Sequence, residues 1–387
     1  MYSQNYKQMY IKEFDDIRCY NDEEVPAVLE NLRNNKYFKY FMLQVLDLDT
    51  YKELLPVLAE VKTVAEFQKR FIVPALLFLE KTTTGGVSFT GLDKLDKDKA
   101  YLYITNHRDI VLDSAFINKI LIPNNYKGTE IAIGSNLLIT DWITDYVKIN
   151  RSFVVTRDAP VRQMMVVSKI LSQYIRYNIN EKGHSTWIAQ REGRTKDGKD
   201  STQVALLKML NLSGVKDIKQ SFKNLSIIPV SISYEIEPCD NYKAKELYLK
   251  DTKTGYQKTP ADDLNSMSDG ITMKKGRVHY HFNEPIDFEL DQINGKLNKN
   301  EQFEAVANII DQKIWSSYKL WPNNYIAYDL VNFTNKYNTE YTKEEKETFI
   351  KMMEEKISTI KGDVQAIKDS YLSIYANPVV SKEELNG

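Results

Sequence analysis

The chain predicts an α/β fold, a mixed central sheet flanked by helices, with an N-terminal helical segment ahead of it and C-terminal helices behind it. Three observations carry this expectation. With 387 residues, 42% of them hydrophobic, the chain can bury a substantial core. Up to about Lys81 the pattern is helical: Leu54, Leu55, Leu58, Val61, Val64, Phe67 and Phe71 recur at three- and four-residue steps, and β-branched runs are scarce. From Gly85 onward, short β-rich apolar runs alternate with helical stretches. The expected organisation is a helical segment over 1–84, an α/β domain over 85–300 and a helical extension over 301–387.

Taken in order, strands are expected at 87–89, 101–105, 130–133, 153–156, 186–190, 225–233 and 277–282, each a short run rich in aromatic, aliphatic or β-branched residues. Helices are expected between them at 110–120, 139–147, 159–179 and 201–212, where the apolar period lengthens. Pro229 lacks a backbone N–H, which places it at a strand end, bulge or edge rather than in a fully paired ladder. The stretch 251–275 is polar without periodicity and reads as a surface excursion. In the tail, Thr342 and Glu345 form a capping-box pattern ahead of Phe349, Ile350 and Ile357.

Composition narrows the function. Basic and acidic residues nearly balance, 52 against 53 for a net charge of −1, and nothing in that asks for nucleic acid. Cys19 and Cys239 stand alone, with neither metal-ligand spacing nor a disulfide framework, and no charged-then-apolar leader opens the chain, so a reducing cytoplasm is the expected home. The longest apolar run, 71–79, is far short of the ~20 residues that span a bilayer, and Pro74 interrupts it. A peripheral position on the inner face of a membrane stays open. The run 71–79 and the aromatic-basic stretch 36–41 either lie at the headgroup boundary or pack the helical segment onto the core, and packing is favoured because soluble cores make the same pattern. The stretch 318–322 is a further candidate anchor. His184, His279 and His281 have no third ligand at convincing spacing and read as structural, so no metal is expected.

The chemistry begins at His107, which follows the β-like run 101–104 and has two carboxylates, Asp109 and Asp113, just downstream at the start of an apolar helix. A neutral imidazole can take a proton from a hydroxyl, and a carboxylate on its other nitrogen would fix the tautomer and stabilise the imidazolium. Alone, His107 would read as an ordinary loop or core histidine, but three further segments give it context. Gly134-Ser135-Asn136-Leu137 is followed by a strand ending in Arg157, whose forked donors could bind a phosphate or could simply be solvated. A third strand, from Trp187, runs into Glu192, Gly193, Arg194, Thr195 and Lys196, where backbone and cations can approach an anion. The fourth is the buried strand that carries Pro229. No serine or cysteine with a matching nucleophile signature appears, which favours direct attack by an acceptor hydroxyl. The run His107-Arg108-Asp109 is not a protein-kinase catalytic loop: Ser114 stands where that loop needs asparagine, and a Gly-rich loop and an Asp-Phe-Gly are missing.

In order and context these four segments resemble the glycerolipid acyltransferase family, which includes glycerol-3-phosphate and 1-acylglycerol-3-phosphate acyltransferases. Members carry an Asn-His-four residues-Asp block, a Gly-x-Asn-Leu block ending in arginine, a Glu-Gly-x-Arg-Ser-type block and a Val-Pro-Val strand. This chain offers Asn106-His107 with Asp113, Gly134-x-Asn136-Leu137 through Arg157, Glu192-Gly193-Arg194-Thr195, and Ile228-Pro229-Val230, over roughly 87–285. It departs twice: five residues, not four, separate His107 from Asp113, and Glu192 lies one residue closer to Arg194 than the family pattern has it. Asp113 is favoured over Asp109 as the partner of His107, because Asp109 is well placed to cap the following helix.

The resemblance implies acyl transfer from a thioester, acyl-CoA or acyl carrier protein, to the hydroxyl of glycerol 3-phosphate or its 1-acyl derivative in phospholipid biosynthesis. His107 would be the base and Asp113 its orienting partner. Asn136, Arg157, Glu192, Gly193, Arg194, Lys196 and Pro229 would line the substrate, with Arg157, Arg194 and Lys196 the candidates for the acceptor phosphate. No metal or redox cofactor is implied. Two rivals are acyl transfer to an amine or non-phosphorylated alcohol, and a non-catalytic lipid-binding protein on the same fold.

Overall fold

The structure, a computed structural model, describes residues 12–157, 159–252, 256 and 259–385. Its N-terminal part is helical: α1 (Val25–Asn34), α2 (Lys36–Val45), α3 (Leu48–Leu54) and a continuous helix from Val64 that ends in α4 (Val73–Thr83). The middle of that last helix, Gln68–Ile72, widens into a π turn immediately ahead of Pro74. A proline ring cannot fit beneath the carbonyl four residues back in a regular helix, and the π turn relieves that clash. Phe71, Ile72, Ala75, Leu76 and Leu79 are buried, so the longest apolar run packs into the core. The 36–41 stretch divides: Phe38 is buried and Phe41 packs beside it, while Tyr37 and Tyr40 are 60% and 64% exposed.

The sheet has seven strands among the described residues: β1 (Val87–Thr90), β2 (Leu102–Thr105), β3 (Thr129–Gly134), β4 (Ser152–Val155), β5 (Ser185–Ala189), β6 (Ile227–Tyr234) and β7 (Val278–Phe282). Each lies within two residues of its expected limits. Their spatial order is β1-β7-β6-β2-β5-β3-β4. The block β6-β2-β5-β3-β4 is parallel throughout, β7 runs antiparallel to β6, and β1 is parallel to β7. Parallel neighbours need crossovers. α5 (Leu112–Leu121), α6 (Asp141–Ile149) and α7 (Val161–Asn180) supply those from β2 to β3, β3 to β4 and β4 to β5. Between β5 and β6 lie α8 (Val204–Leu210) and α9 (Ile218–Lys223); between β6 and β7 lie α10 (Asp240–Asp251) and α11 (Pro260–Thr272).

Alternation along the strands feeds two cores. Tyr103, Ile228, Val230 and Tyr280 face the N-terminal helices and α5, with Phe67, Phe71 and Phe116. Leu102, Ile104 and Ile227 face the opposite way, towards Tyr174 and Ile175 of α7, Leu207 of α8, and Phe303 and Ile310. Those last two belong to α13 (Lys299–Ser316), which follows the short α12 (Asp287–Gln292). The remaining helices, α14 (Pro322–Val331), α15 (Lys343–Ile357) and α16 (Val364–Glu383), form a third cluster around Phe349, Met353, Tyr371 and Tyr375. The expected capping box starts α15: Thr342 Oγ1 accepts from the Glu345 N–H at 3.1 Å and Glu345 Oε2 from the Thr342 N–H at 2.7 Å.

Three expectations need correction. The stretch 251–275 is not a loop throughout: α11 occupies most of it, started by a Thr259–Asp262 capping box and closed by the buried Lys275, whose Nζ donates to Ile271 O and Met273 O. Burial pushes that ammonium down to about 8. Residues 253–255, 257 and 258 of that stretch lie outside the described residues. The stretch 318–322 is no surface anchor, since Tyr318 and Trp321 are buried. Pro229 sits inside a central strand, third of eight residues in β6. Its missing N–H is harmless there because the ladder with β7 begins only at Val230–Phe282; its carbonyl accepts from Asn283 N and Nδ2 instead.

Candidate active site

In a parallel sheet the carboxyl-terminal strand ends form one edge, and ligands bind there. All four segments singled out in the sequence meet that edge, after β2, after β3 and β4, after β5, and along β6. Asn106, the first residue beyond β2, holds the edge together. Its side-chain amide accepts from Ile232 N at 2.8 Å and donates to Ile232 O at 2.9 Å, pairing with β6 as a strand residue would while the backbone turns away.

His107 follows, its side chain 13% exposed. Its Nδ1 lies 2.8 Å from Asp113 Oδ2, and Nε2 makes no hydrogen bond among the described residues. The same Oδ2 accepts from the Arg108 N–H at 2.6 Å and the Asp109 N–H at 3.0 Å. Asp113 is fully buried, and these donors supply the hydrogen bonds that a carboxyl group removed from water requires. The ring of Trp187 on β5 stands edge-on to the imidazole, centroids 5.6 Å apart at 73°. The neutral ring therefore carries its proton on Nδ1, directed at the carboxylate, and offers the Nε2 lone pair as acceptor.

Asp109 does a different job. Its Oδ1 accepts from the Val111 and Leu112 N–H groups at 2.9 and 2.8 Å and so satisfies the start of α5. Its Oδ2 points at α11, where a Cβ on Gly270 would lie only 2.7 Å away. Because α5 begins at Leu112, the six-residue step from His107 to Asp113 spans a turn rather than a helix face, and the turn absorbs the additional residue.

Beneath the turn lies a buried ionic network. The Arg108 guanidinium donates to Asp200 Oδ2 at 2.5 Å and, more weakly, to Glu237 Oε1 at 3.4 Å. Burial opposes its charge, but those two carboxylates outweigh the burial and raise it well above the usual arginine range. Lys243 donates to Glu237 Oε1 and to Arg108 O. Asp200 also accepts from Asn106 Nδ2 and from the Tyr318 hydroxyl, so the network locks the residues on both sides of His107.

The other candidate residues are distributed around this centre. Thr195 N donates to His107 O at 2.9 Å, tying the third segment to the first. Gly193, at φ 69°, makes the left-handed turn between them. Arg194 is buried, with Nη1 lacking a partner among the described residues. Arg157 is partly exposed and pairs with Glu192 at 3.1 Å, and Lys196 pairs with Glu246 of α10 at 2.9 Å. Arg157 Nε and Asn136 Oδ1 both cross directly over Gly134, where an added Cβ would lie 2.5 Å from each. Gly134 has an ordinary extended φ of −69°, so its need is close approach rather than backbone freedom. Gly134→Ala is therefore expected to displace the Arg157 and Asn136 side chains, at a cost of about 1–3 kcal/mol in stability read by urea unfolding.

Neither a protein-family model nor a curated protein sequence matches the chain. Among solved structures it is similar to the 1-acyl-sn-glycerophosphate (LPA) acyltransferase, PlsC, from Thermotoga maritima, with 15% identity and a TM-score of 0.34 over 73% of this chain and 91% of that chain. Likeness at that level says nothing about chemistry, which has to come from the side chains themselves.

Two residues of the centre escaped sequence reasoning. Tyr234 donates its hydroxyl to Asp113 Oδ1 at 2.8 Å. Strand parity could have found it, because Ile228, Val230, Ile232 and Tyr234 share one face of β6 and Tyr234 ends it at the site edge. Asp200 carried no such signal, since its partners come from separate parts of the chain.

Proposed function

We propose that the protein is an acyltransferase that moves an acyl group from a thioester, acyl-CoA or acyl carrier protein, to a hydroxyl of a glycerophosphate-type acceptor. One observation carries this reading: the imidazole of His107 is fixed through Nδ1 by a buried carboxylate, with Nε2 unbonded at the carboxyl-terminal edge of a parallel sheet. In the proposed mechanism the acceptor hydroxyl gives its proton to Nε2 as its oxygen attacks the thioester carbonyl. Asp113 stabilises the imidazolium that results, and collapse of the tetrahedral intermediate expels the thiolate, which takes the proton back from Nε2. Arg194, with a guanidinium nitrogen unpaired among the described residues, and Arg157 are the proposed partners of the acceptor phosphate. Asn136, Glu192 and Gly193 shape the surrounding edge, while Pro229 lies within the sheet beside Ile104 of β2. Among the described residues no helix is long and apolar enough to cross a membrane.

A second reading has its own support. Arg157 and Lys196 are already paired with Glu192 and Glu246, as suits an acceptor that carries no phosphate. Thiol release from acyl-CoA and acyl carrier protein, measured with glycerol 3-phosphate, 1-acylglycerol 3-phosphate, an amino acid or a simple diol, separates the two. With a phosphorylated acceptor, Arg157→Ala is expected to raise KM about tenfold or more while kcat changes little, the loss of one charge-assisted hydrogen bond. An unchanged KM, with the diol used equally well, would favour the second reading. No turnover with any pair would exclude both.

A further inference from the structure

Asp113 has two oxygens with different surroundings. Oδ2 collects His107 Nδ1 and the two backbone N–H groups of Arg108 and Asp109. Among the described residues, Oδ1 has a single donor, the hydroxyl of Tyr234. That hydroxyl arrives from β6, a strand on which neither Asp113 nor His107 lies, and it is buried on the face shared with Tyr280 of β7. Tyr280 donates to the backbone carbonyls of Leu112 and Asp113, so the two tyrosines, on one face of the sheet, hold the first turn of α5 through its backbone and through the Asp113 side chain. The carboxylate is therefore clamped between the backbone and the imidazole at one oxygen and a phenol at the other.

We propose that Tyr234 is a positioning residue for the His107–Asp113 pair, its hydroxyl fixing the carboxylate plane and drawing negative charge away from the oxygen that faces the imidazole. This rests on the reading of His107 as the base. A carboxylate that accepts an additional strong hydrogen bond is a weaker acceptor at its other oxygen. With the phenol present, Asp113 steers the ring yet holds the proton on the imidazole less tightly, so a base that must release its proton in every cycle is not trapped as imidazolium. Burial, the charge of Asp113 and the nearby Tyr280 and Asp109 raise the Tyr234 phenol well above its ordinary range, so it remains a donor at every working pH. The other charged groups around the turn, Arg108 with Asp200, Glu237 and Lys243, bond to one another or to the backbone, and none reaches Oδ1.

Tyr234→Phe removes the hydroxyl and keeps the ring. The sign follows directly: Oδ1 loses its donor, Asp113 attracts the imidazolium more strongly, and His107 takes up its proton at higher pH. The expected results are a kcat about tenfold lower with the acceptor KM within about twofold, and an acid limb of the rate profile moved upward by about half a pH unit or more. The same shift is expected, without turnover, in the titration of the His107 ring followed by NMR in full-length protein carrying nitrogen-15 histidine, with the signal assigned from His107→Ala. Tyr318→Phe, which removes a buried hydroxyl from Asp200 instead, serves as the matched control and is expected to lower stability without moving that titration. If the Tyr234→Phe titration coincides with wild type, or moves no further than that of Tyr318→Phe, the phenol is only structural and the proposal is wrong. A Tyr234→Phe chain that fails to fold would likewise show the hydroxyl to be structural and overturn the proposal. If wild type shows no turnover at all, the acyl-transfer reading fails, while the NMR titration still decides the role of Tyr234.

Discussion

His107→Ala is expected to lower kcat/KM by about 10²–10⁴-fold, the range spanned by a positioned general base, with little change in stability. The two halves of that expectation have separate physical grounds. The activity loss follows from the unbonded Nε2, since among the described residues the other partners of Asp113 are two backbone N–H groups and a phenol, none of which can replace the imidazole as proton acceptor. The small stability change follows because Asp113 Oδ2 keeps two backbone donors when the ring is gone, so the carboxylate is not left unpaired. Thiol release at saturating acyl donor reads the first and urea unfolding the second. A variant with wild-type turnover would show that His107 is not the base, whereas a wild-type protein without turnover would leave the lipid-binding alternative, tested by equilibrium binding of the acyl thioester.

Much of the fold was legible because the strands announce themselves. Tyr101 to Thr105 and Leu225 to Ser233 are apolar runs of strand length in a chain whose sheet is mostly parallel, and strands buried on both faces read as continuous apolar stretches. α11 was invisible for the opposite reason. Its residues Pro260–Thr272 include three aspartates, two serines and a glycine, and beside the buried Ile271 it is held by polar contacts: a capping box, Cys239 donating to Ser266 O, and Lys275 at its end. Tyr318 and Trp321 looked like interfacial anchors because an aromatic beside a lysine has the same appearance at a membrane and over a buried acceptor. Here Tyr318 finds Asp200. In the site, motif context singled out His107 and both carboxylates, but spacing alone left the partner open, because the turn before α5 could bring either aspartate to the ring. Only the hydrogen bonds separate them. Lys196 shows the limit of reading charge from a sequence, since a basic cluster does not reveal that Glu246 from α10 closes on one of its members.

That separation gives the sharpest comparison, Asp113→Asn against Asp109→Asn. At position 113 the amide oxygen is expected to stay under the two backbone N–H groups and His107 Nδ1, with the amide nitrogen donating to a Tyr234 hydroxyl turned to accept. The chain should fold, at a cost of about 1–3 kcal/mol for exchanging charged acceptors for neutral ones. Its kcat is expected to fall about 10²–10⁴-fold, because a neutral amide no longer stabilises the imidazolium that forms on proton transfer. At position 109 the amide oxygen can serve Val111 and Leu112 as the carboxylate does, and asparagine is as good a helix starter as aspartate. Activity there should stay within about threefold of wild type. Measured side by side in the same assay, the two variants assign the orienting role to one carboxylate. Should Asp109→Asn prove the more damaging, the hydrogen bond between Asp113 and His107 would be structural, and the base would have to be oriented from the α11 side of the site instead.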